Sequence, residues 1–122
     1  MIDLKEIHEE CGVLGIAGHS NAASMCYYGL HSLQHRGQEA AGILVSHDQQ
    51  LSLHKGEGLV TEVFSPQQLE KLQGSSAIGH VRYSTAGGGG LANVQPLLFQ
   101  TLQGDLGICH NGNLVNVYEL KR

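Results

Sequence analysis

Cys11 is the residue of this sequence with the clearest chemical potential, because it opens a short apolar run, "CGVLGIAG", near the start of the chain. A free thiol with a pKa of ~8.5 is a poor nucleophile until a base removes its proton. If residues 1–10 were removed, the α-amino group of Cys11, with a pKa of ~8, would supply that base on the same residue. The thiol itself could cut the chain by attacking the Glu10 carbonyl. The alternative is a buried cysteine that only packs, and the residue alone leaves both open.

An Asn-Gly pair within "CHNGN" (109–113) is the second candidate feature. The Asn111 carboxamide and the uncrowded backbone N–H of Gly112 could stabilise the oxyanion that forms when a nucleophile attacks an amide. The alternative is an ordinary hairpin turn, for which Asn-Gly is a strong signal. Here the pair follows a predicted strand and precedes a predicted helix cap.

Arg82 lies within "HVRYST" (80–85), on a predicted strand flanked by apolar residues. A guanidinium binds a carboxylate through two parallel hydrogen bonds, so Arg82 could hold the carboxylate of an amino-acid substrate. The alternative is an ion pair with one of the eleven acidic side chains, and neither is favoured. Arg36 and Gly37 are explained without a ligand, as a helix C-cap with a cation near the negative helix end.

Two further patterns resemble ligand sites and are weaker. His31 and His35 have a spacing that suits a metal on a helix, but Ser32 stands where the zinc-hydrolase pattern His-Glu-x-x-His requires glutamate. The run "AGGGG" (86–90) resembles a phosphate cradle, but neither a Lys-Ser/Thr pair nor a helix follows it. A metal-dependent hydrolase that uses His31, His35 and His110 is therefore one alternative function.

Length and composition limit the class of protein. The chain has 122 residues, enough for one domain, and its 41% hydrophobic and 15% charged residues predict a packed core. A net charge of −4 without a basic run argues against nucleic acid as the main partner. The sequence has neither an apolar run of membrane-spanning length nor a secretory signal. Three cysteines without a C-x-x-C pair argue against a disulfide framework and against a structural zinc site. They indicate a protein of the reducing cytoplasm.

The hydrophobic pattern predicts an α+β fold with a largely antiparallel sheet. The first half of the chain predicts a strand over 12–18, a helix capped by Ser20 or Asn21 and ended by Gly37, and two strands around a turn at 47–50. The second half predicts a short helix from Ser65-Pro66 to Gly74, a strand over 76–85, a loop over 87–90, a hairpin over 95–113 and a last helix capped by Asn113. On the strand over 76–85, a period of two places Ile78, His80, Arg82 and Ser84 on one face.

Several segments, taken together and in order, resemble the class II glutamine amidotransferases. The segments are "ECGVLGIAGH", "GLHSLQHRGQEAAGI", "GLVTEVF", "AIGHVRYSTAGGGG", "NVQPLLF" and "CHNGNLVN". The likeness is closest to the glutaminase domain of the amidophosphoribosyltransferase family and runs from Glu10 onward. It implies an N-terminal-nucleophile hydrolase fold, a four-layer αββα sandwich with antiparallel sheets, incomplete at the C-terminus.

The resemblance also implies roles for single residues. Residues 1–10 would be a propeptide and 11–122 a partial glutaminase domain whose nucleophile is Cys11. Asn111 and Gly112 match the oxyanion-hole pair of the family. Arg82 matches the arginine that binds the α-carboxylate of glutamine, and Thr85 matches a nearby residue of the glutamine site. Arg36 and Gly37 match a loop that shapes the surroundings of the nucleophile.

The activity implied is hydrolysis of glutamine to glutamate and ammonia, which then forms phosphoribosylamine from phosphoribosyl pyrophosphate in de novo purine (IMP) biosynthesis. In the family, several parts of the protein lie beyond the position of Arg122. They are the phosphoribosyltransferase domain with its Mg²⁺, an aspartate that binds the glutamine α-ammonium and, in some members, an iron–sulfur cluster. We therefore expect no cofactor or metal in this segment and a homo-oligomer at full length. The 122 residues alone are expected to be poorly stable and inactive or nearly so. A non-catalytic glutamine- or partner-binding remnant is the second alternative.

Overall fold

The computed structural model describes residues 11–34, 38–83 and 93–110, with Cys11 described by its backbone alone. The elements in chain order are β1 (Cys11–Ala17), α1 (Ala22–Leu33), β2 (Gln38–His47), β3 (Gln50–Glu57), α2 (Val60–Val63), α3 (Pro66–Lys71), β4 (Ser76–Tyr83), β5 (Leu97–Thr101) and β6 (Gly104–Ile108). No helix among these elements is long and apolar enough to span a bilayer.

A four-stranded antiparallel sheet in the order β1-β4-β2-β3 organises the described chain. β4 lies between β1 and β2, so that Arg82 pairs with Cys11 on one side and with Ala40 on the other. β2 and β3 form a hairpin whose turn residues Asp48 and Gln49 have φ of 49° and 67°. Positive φ at both positions matches the twist of the flanking strands in a two-residue turn.

α1 packs on one face of this sheet through an apolar stripe at helical spacing. The buried residues of the helix are Ala22, Ala23, Cys26, Leu30 and Leu33. They join Ile43, Val45 and Val81 of the sheet in one hydrophobic cluster. Gly79 of β4 permits this close approach, because a Cβ atom there would collide with Cys26 Sγ and lie 2.9 Å from Leu30 Cδ1. Most of the core therefore lies between α1 and the sheet.

The hairpin of β5 and β6 lies over the opposite face of the sheet. Gly107 approaches Leu44 so closely that a Cβ atom on the glycine would lie 2.8 Å from Leu44 Cδ2. Beside this contact is a cavity of about 470 Å³ whose lining includes Gly15, Ile78 and Leu106. The segment before β5 contains a cis Gln95–Pro96 peptide bond. The described residues thus form three layers: helices, the larger sheet and the hairpin.

The structure confirms most of the predicted elements and corrects the ends of two helices. α1 ends at Leu33 and not at Gly37, because the Tyr83 hydroxyl donates to the Leu33 carbonyl and Gln34 is already extended. α3 begins at Pro66 with Ser65 as its N-cap, as predicted, and ends at Lys71 and not at Gly74. The structure adds a capping box between Ser65 and Gln68.

Two other features of the structure differ from the sequence analysis. Asn21 stands at the N-cap of α1, yet its side chain makes no capping hydrogen bond. The single turn of α2 was not predicted. The predictions for the loop over 87–90 and for a helix capped by Asn113 fall outside the described residues.

Candidate active site

The pairing of β1 with β4 brings two candidate residues together. Cys11, the first residue of β1, is the direct register partner of Arg82 near the end of β4. Directly opposed residues of antiparallel strands have Cα atoms about 4.5–5.5 Å apart. The predicted nucleophile and the predicted carboxylate ligand, distant in sequence, are therefore neighbours in the sheet.

Arg82 is shielded from solvent and pairs with one acidic residue. Its side chain is 14% exposed, and its Nε lies 3.5 Å from Oε1 of Glu39 at the start of β2. Nε makes no hydrogen bond within the described chain, so this contact is an ion pair at long range. Arg82 thus has the acidic partner that the ion-pair explanation of this residue requires. Its guanidinium group is also of the type that binds a carboxylate through two parallel hydrogen bonds.

His80 lies two residues before Arg82 on the same face of β4, as its spacing predicted. It is 1% exposed, and its Nε2 lies 3.2 Å from the carbonyl oxygen of His110. Burial lowers the pKa of His80 to about 4. The hydrogen bond to the His110 carbonyl opposes this shift, whereas the nearby charges of His110 and Arg82 lower the pKa further. The ring is therefore neutral near pH 7.

The chain after β6 crosses β4 at this point. The β5–β6 ladder ends at Ile108. Cys109 Sγ then donates to the Gly79 carbonyl at 3.7 Å, and the His110 N–H donates to Gln95 Oε1 at 2.7 Å. The segment that leads into Asn111 therefore starts above the strand that carries Arg82. Three sequence motifs, around Cys11, Arg82 and His110, converge at one end of the sheet.

The other two cysteines are poor candidates for a nucleophile. Burial raises the pKa of Cys26 to about 12, with a contribution from Cys109, and raises the pKa of Cys109 to about 11. Both thiols are consequently protonated at neutral pH, and the thiolate is the reactive form. Among the three cysteines of the sequence, these two are suited to packing, which leaves Cys11 as the candidate.

Several predicted site residues fall outside the described chain. Asn111, Gly112, Thr85, Arg36 and Gly37 belong to this group, so their roles stay predictions. The side chain of Cys11 is likewise not described.

The metal alternative gains no support from the part that the structure describes. Within it, no group of three or more His, Cys, Asp or Glu side chains could hold a metal ion. His35, which that alternative requires, lies outside this part.

Sequence reasoning gave no role to three residues that the structure brings to the site. Glu39 pairs with Arg82, while His80 and Gln95 hold the backbone of His110. His80 was placed on the correct face, but nothing in its spacing identifies its partner. Gln95 carries no local signal at all, because its contact depends on how the hairpin lies on the sheet.

Comparison with known proteins is consistent with this geometry. No protein-family model matches the chain. Over 123 aligned residues the chain is 58% identical to the amidophosphoribosyltransferase of Bacillus subtilis, covering 100% of this chain and 26% of that protein. A solved structure of "the allosteric regulatory enzyme of purine biosynthesis" is 60% identical with a TM-score of 0.78, covering 89% of this chain and 24% of the other.

The B. subtilis glutamine phosphoribosylpyrophosphate amidotransferase, solved with ADP and GMP, is 56% identical with a TM-score of 0.75, covering 89% of this chain and 23% of the other. The chain thus spans about a quarter of the length of the relatives it matches. The predicted α+β fold of the N-terminal-nucleophile hydrolase type is confirmed by these neighbours. Over the segment it covers, the chain belongs to the amidophosphoribosyltransferase family, whose N-terminal glutaminase region it matches.

Proposed function

We propose that this chain is the glutaminase part of an amidophosphoribosyltransferase, which hydrolyses glutamine to glutamate and ammonia. The observation that carries the proposal is the register pairing of Cys11 with Arg82. A glutamine whose α-carboxylate is bound by the Arg82 guanidinium would extend its side-chain amide over the same end of the sheet. The ion pair between Arg82 Nε and Glu39 supports this role, because it holds the Arg82 side chain in place.

The proposed reaction begins with removal of residues 1–10 as a propeptide, which frees the α-amine of Cys11. That amine takes the thiol proton, and the thiolate attacks the side-chain amide carbon of glutamine. Asn111 Nδ2 and the Gly112 N–H donate to the oxyanion, a contribution of about 2.7–4 kcal/mol for one such donor. The protonated amine returns its proton to the departing nitrogen, so ammonia leaves and a γ-glutamyl thioester remains. Water then cleaves the thioester, which releases glutamate and regenerates the thiol.

The remaining assignments rest on the resemblance to the family. Thr85, Arg36 and Gly37 would complete the glutamine site around Cys11. The ammonia would be used on phosphoribosyl pyrophosphate in a part of the protein that this chain does not cover, where Mg²⁺ would also bind. A cytoplasmic location and a homo-oligomeric full-length protein belong to the same proposal.

A chimera provides the test of this function. The chain replaces the corresponding segment of the B. subtilis relative, to which it is 58% identical. The chimera is treated with a glutamine analogue that carries an electrophilic carbon in place of the amide, and its intact mass and labelled peptide are measured. We expect a mature chain that begins at Cys11, labelled once on that residue. Arg82→Leu should slow labelling by the analogue about 10-fold to 100-fold, while alkylation by iodoacetamide, which lacks a carboxylate at that position, should change little.

Two outcomes would count against the proposal. One is glutamine turnover by a chimera that keeps Met1 to Glu10, because a blocked amine cannot serve as the base. The other is turnover that persists in Cys11→Ser and is lost to a chelator, which would favour the metal-dependent alternative. Binding of glutamine without labelling of Cys11 would instead favour the non-catalytic alternative.

A further inference from the structure

The residue that precedes the proposed oxyanion-hole pair is held by side chains and not by a strand partner. β6 leaves its ladder at Ile108, yet His110 retains partners for both backbone polar groups. Its N–H donates to Gln95 Oε1 at 2.7 Å, and its carbonyl oxygen lies 3.2 Å from His80 Nε2. The carbonyl belongs to the same peptide plane as the N–H of Asn111. His80 thus fixes the direction of the His110 carbonyl, the last one that the structure describes before the Asn111–Gly112 pair.

The chemistry of His80 defines its side of this arrangement. A carbonyl oxygen only accepts, so Nε2 carries the proton and donates. Nδ1 is then an acceptor, and it has no hydrogen-bond partner within the described residues. The ring is almost fully buried, 1% exposed, so it cannot exchange this contact for water. His80 therefore serves as a neutral donor of fixed direction from the central strand.

Gln95 is itself fixed by the larger sheet. The Lys55 ammonium of β3 donates to the carbonyl oxygen of Val94 at 2.7 Å. Gly42 of β2 leaves the space in which the Gln95 carbonyl lies, since a Cβ atom there would collide with that oxygen and lie 2.9 Å from Pro96 Cδ. The segment before β5 is thus seated on β2 and β3, and it presents the Gln95 amide to His110.

We propose that His80 and Gln95 are positioning residues of the glutaminase reaction, which together hold His110 and thereby set the place of the Asn111–Gly112 oxyanion hole. This inference rests on the proposed function. An oxyanion donor must lie about 2.7–3.1 Å from the developing charge, and a misplacement of about 1 Å can cost on the order of 100-fold in rate. Both residues act through His110. Arg82, which would bind the substrate carboxylate, is held by a different contact.

Matched variants in the chimera test the proposal. His80→Met removes the donor at similar volume, whereas His80→Gln retains an N–H near the position of Nε2. Gln95→Met removes the acceptor, whereas Gln95→Glu retains it. We expect the two methionine variants to lower kcat for glutamine hydrolysis about 30-fold with KM changed less than about 3-fold, and the two conservative variants to stay within about 3-fold of the parent. Alkylation of Cys11 by iodoacetamide needs no oxyanion hole and should keep its rate in all four.

The outcomes separate this proposal from the function on which it rests. Unchanged kcat in both methionine variants, or His80→Gln as slow as His80→Met, would overturn it. So would a rise in KM alone, or a parallel loss of alkylation, because these indicate a binding or a purely structural role. If His80→Met fails to fold, Gln95→Met, at a half-buried residue, decides the question. Activity that survives Cys11→Ser and Asn111→Ala would refute the proposed function itself.

Discussion

Gln38 joins the start of β2 to the turn before α2, and its replacement by glutamate isolates the contribution of one buried amide. The side chain is 6% exposed. Its Nε2 donates to the carbonyl oxygens of Ala40 and Gly58 at 2.9 and 2.7 Å, and its Oε1 accepts from the Val60 N–H at 3.1 Å. Glutamate keeps the shape and the acceptor but removes both donors. A carboxylate oxygen would then face two carbonyl oxygens.

The expected magnitude follows from these contacts. A buried carbonyl left unpaired costs ~1–3 kcal/mol, and an uncompensated buried charge ~3–5 kcal/mol. We therefore expect Gln38→Glu to lower the local free energy of unfolding by ~3–5 kcal/mol at pH 7.5. The two carbonyls raise the pKa of the introduced carboxyl above its usual ~4.3, because the protonated form regains one donor. The folded state then binds more protons than the unfolded state above that value, so the loss should shrink as the pH falls toward 5.

Hydrogen–deuterium exchange of the chimera, followed by mass spectrometry, measures this local stability. A loss of ~3 kcal/mol corresponds to exchange about 150-fold faster in peptides that cover β2 and α2. Gln34→Glu is the matched control: Gln34 Oε1 accepts from the same Val60 N–H at 3.0 Å, so glutamate preserves that contact while adding the same charge. We expect the control to stay within about 3-fold of the parent. Equal effects of the two variants, or a loss that grows at pH 5, would refute this reasoning about Gln38.

Two further predictions concern packing and pH. Gly79→Ala should destabilise the contact of α1 with the sheet by ~1–3 kcal/mol, because the added Cβ would collide with Cys26 Sγ. Adding Cys26→Ala should recover part of that loss. Hydrogen–deuterium exchange in α1 peptides measures both effects, and no recovery in the double variant would contradict the packing argument. The pKa of His80 is about 4 in the folded state and 6.5 in the unfolded state, so the unfolded state binds more protons between these values and stability should fall by ~3 kcal/mol as the pH drops through that window. His80→Gln should abolish this loss in exchange of β4 peptides, and an unchanged pH dependence in that variant would assign the loss to other groups.

Local patterns were sufficient where the structure depends on local periodicity. The alternation along β4 correctly places Ile78, His80 and Arg82 on one face, because side chains of a strand point to opposite faces in turn. Asp48 and Gln49 adopt the hairpin turn that the polar break between two apolar runs predicts.

Local patterns failed where contacts distant in sequence decide. α1 ends at Leu33 although glycine, the usual stop signal, comes later at Gly37. The Leu33 carbonyl takes its partner from Tyr83, and Gln34 turns away to bind the Val60 N–H. α2 has Leu59 at its N-cap, a residue that gives no start signal, and depends on the buried amide of Gln38.

The candidate site shows the same division. Residue types alone suggested chemistry for Cys11 and Arg82, but each had an equally acceptable structural explanation. Only the strand register makes the two residues neighbours, and register is not encoded in either motif. The partners of His110 are still less accessible to sequence reasoning, because they depend on how one sheet lies over the other.

The central place of β4 restricts how this protein can evolve. Arg82 has Cys11 as its pair on one flank and Ala40 on the other, so one short strand aligns the proposed carboxylate ligand with the proposed nucleophile. Many substitutions along β4 leave that alignment intact, but the gain or loss of a single residue inside the strand would turn its guanidinium toward α1. Lineages of this family should therefore tolerate length changes in the β2–β3 turn far more readily than between Ser76 and Arg82.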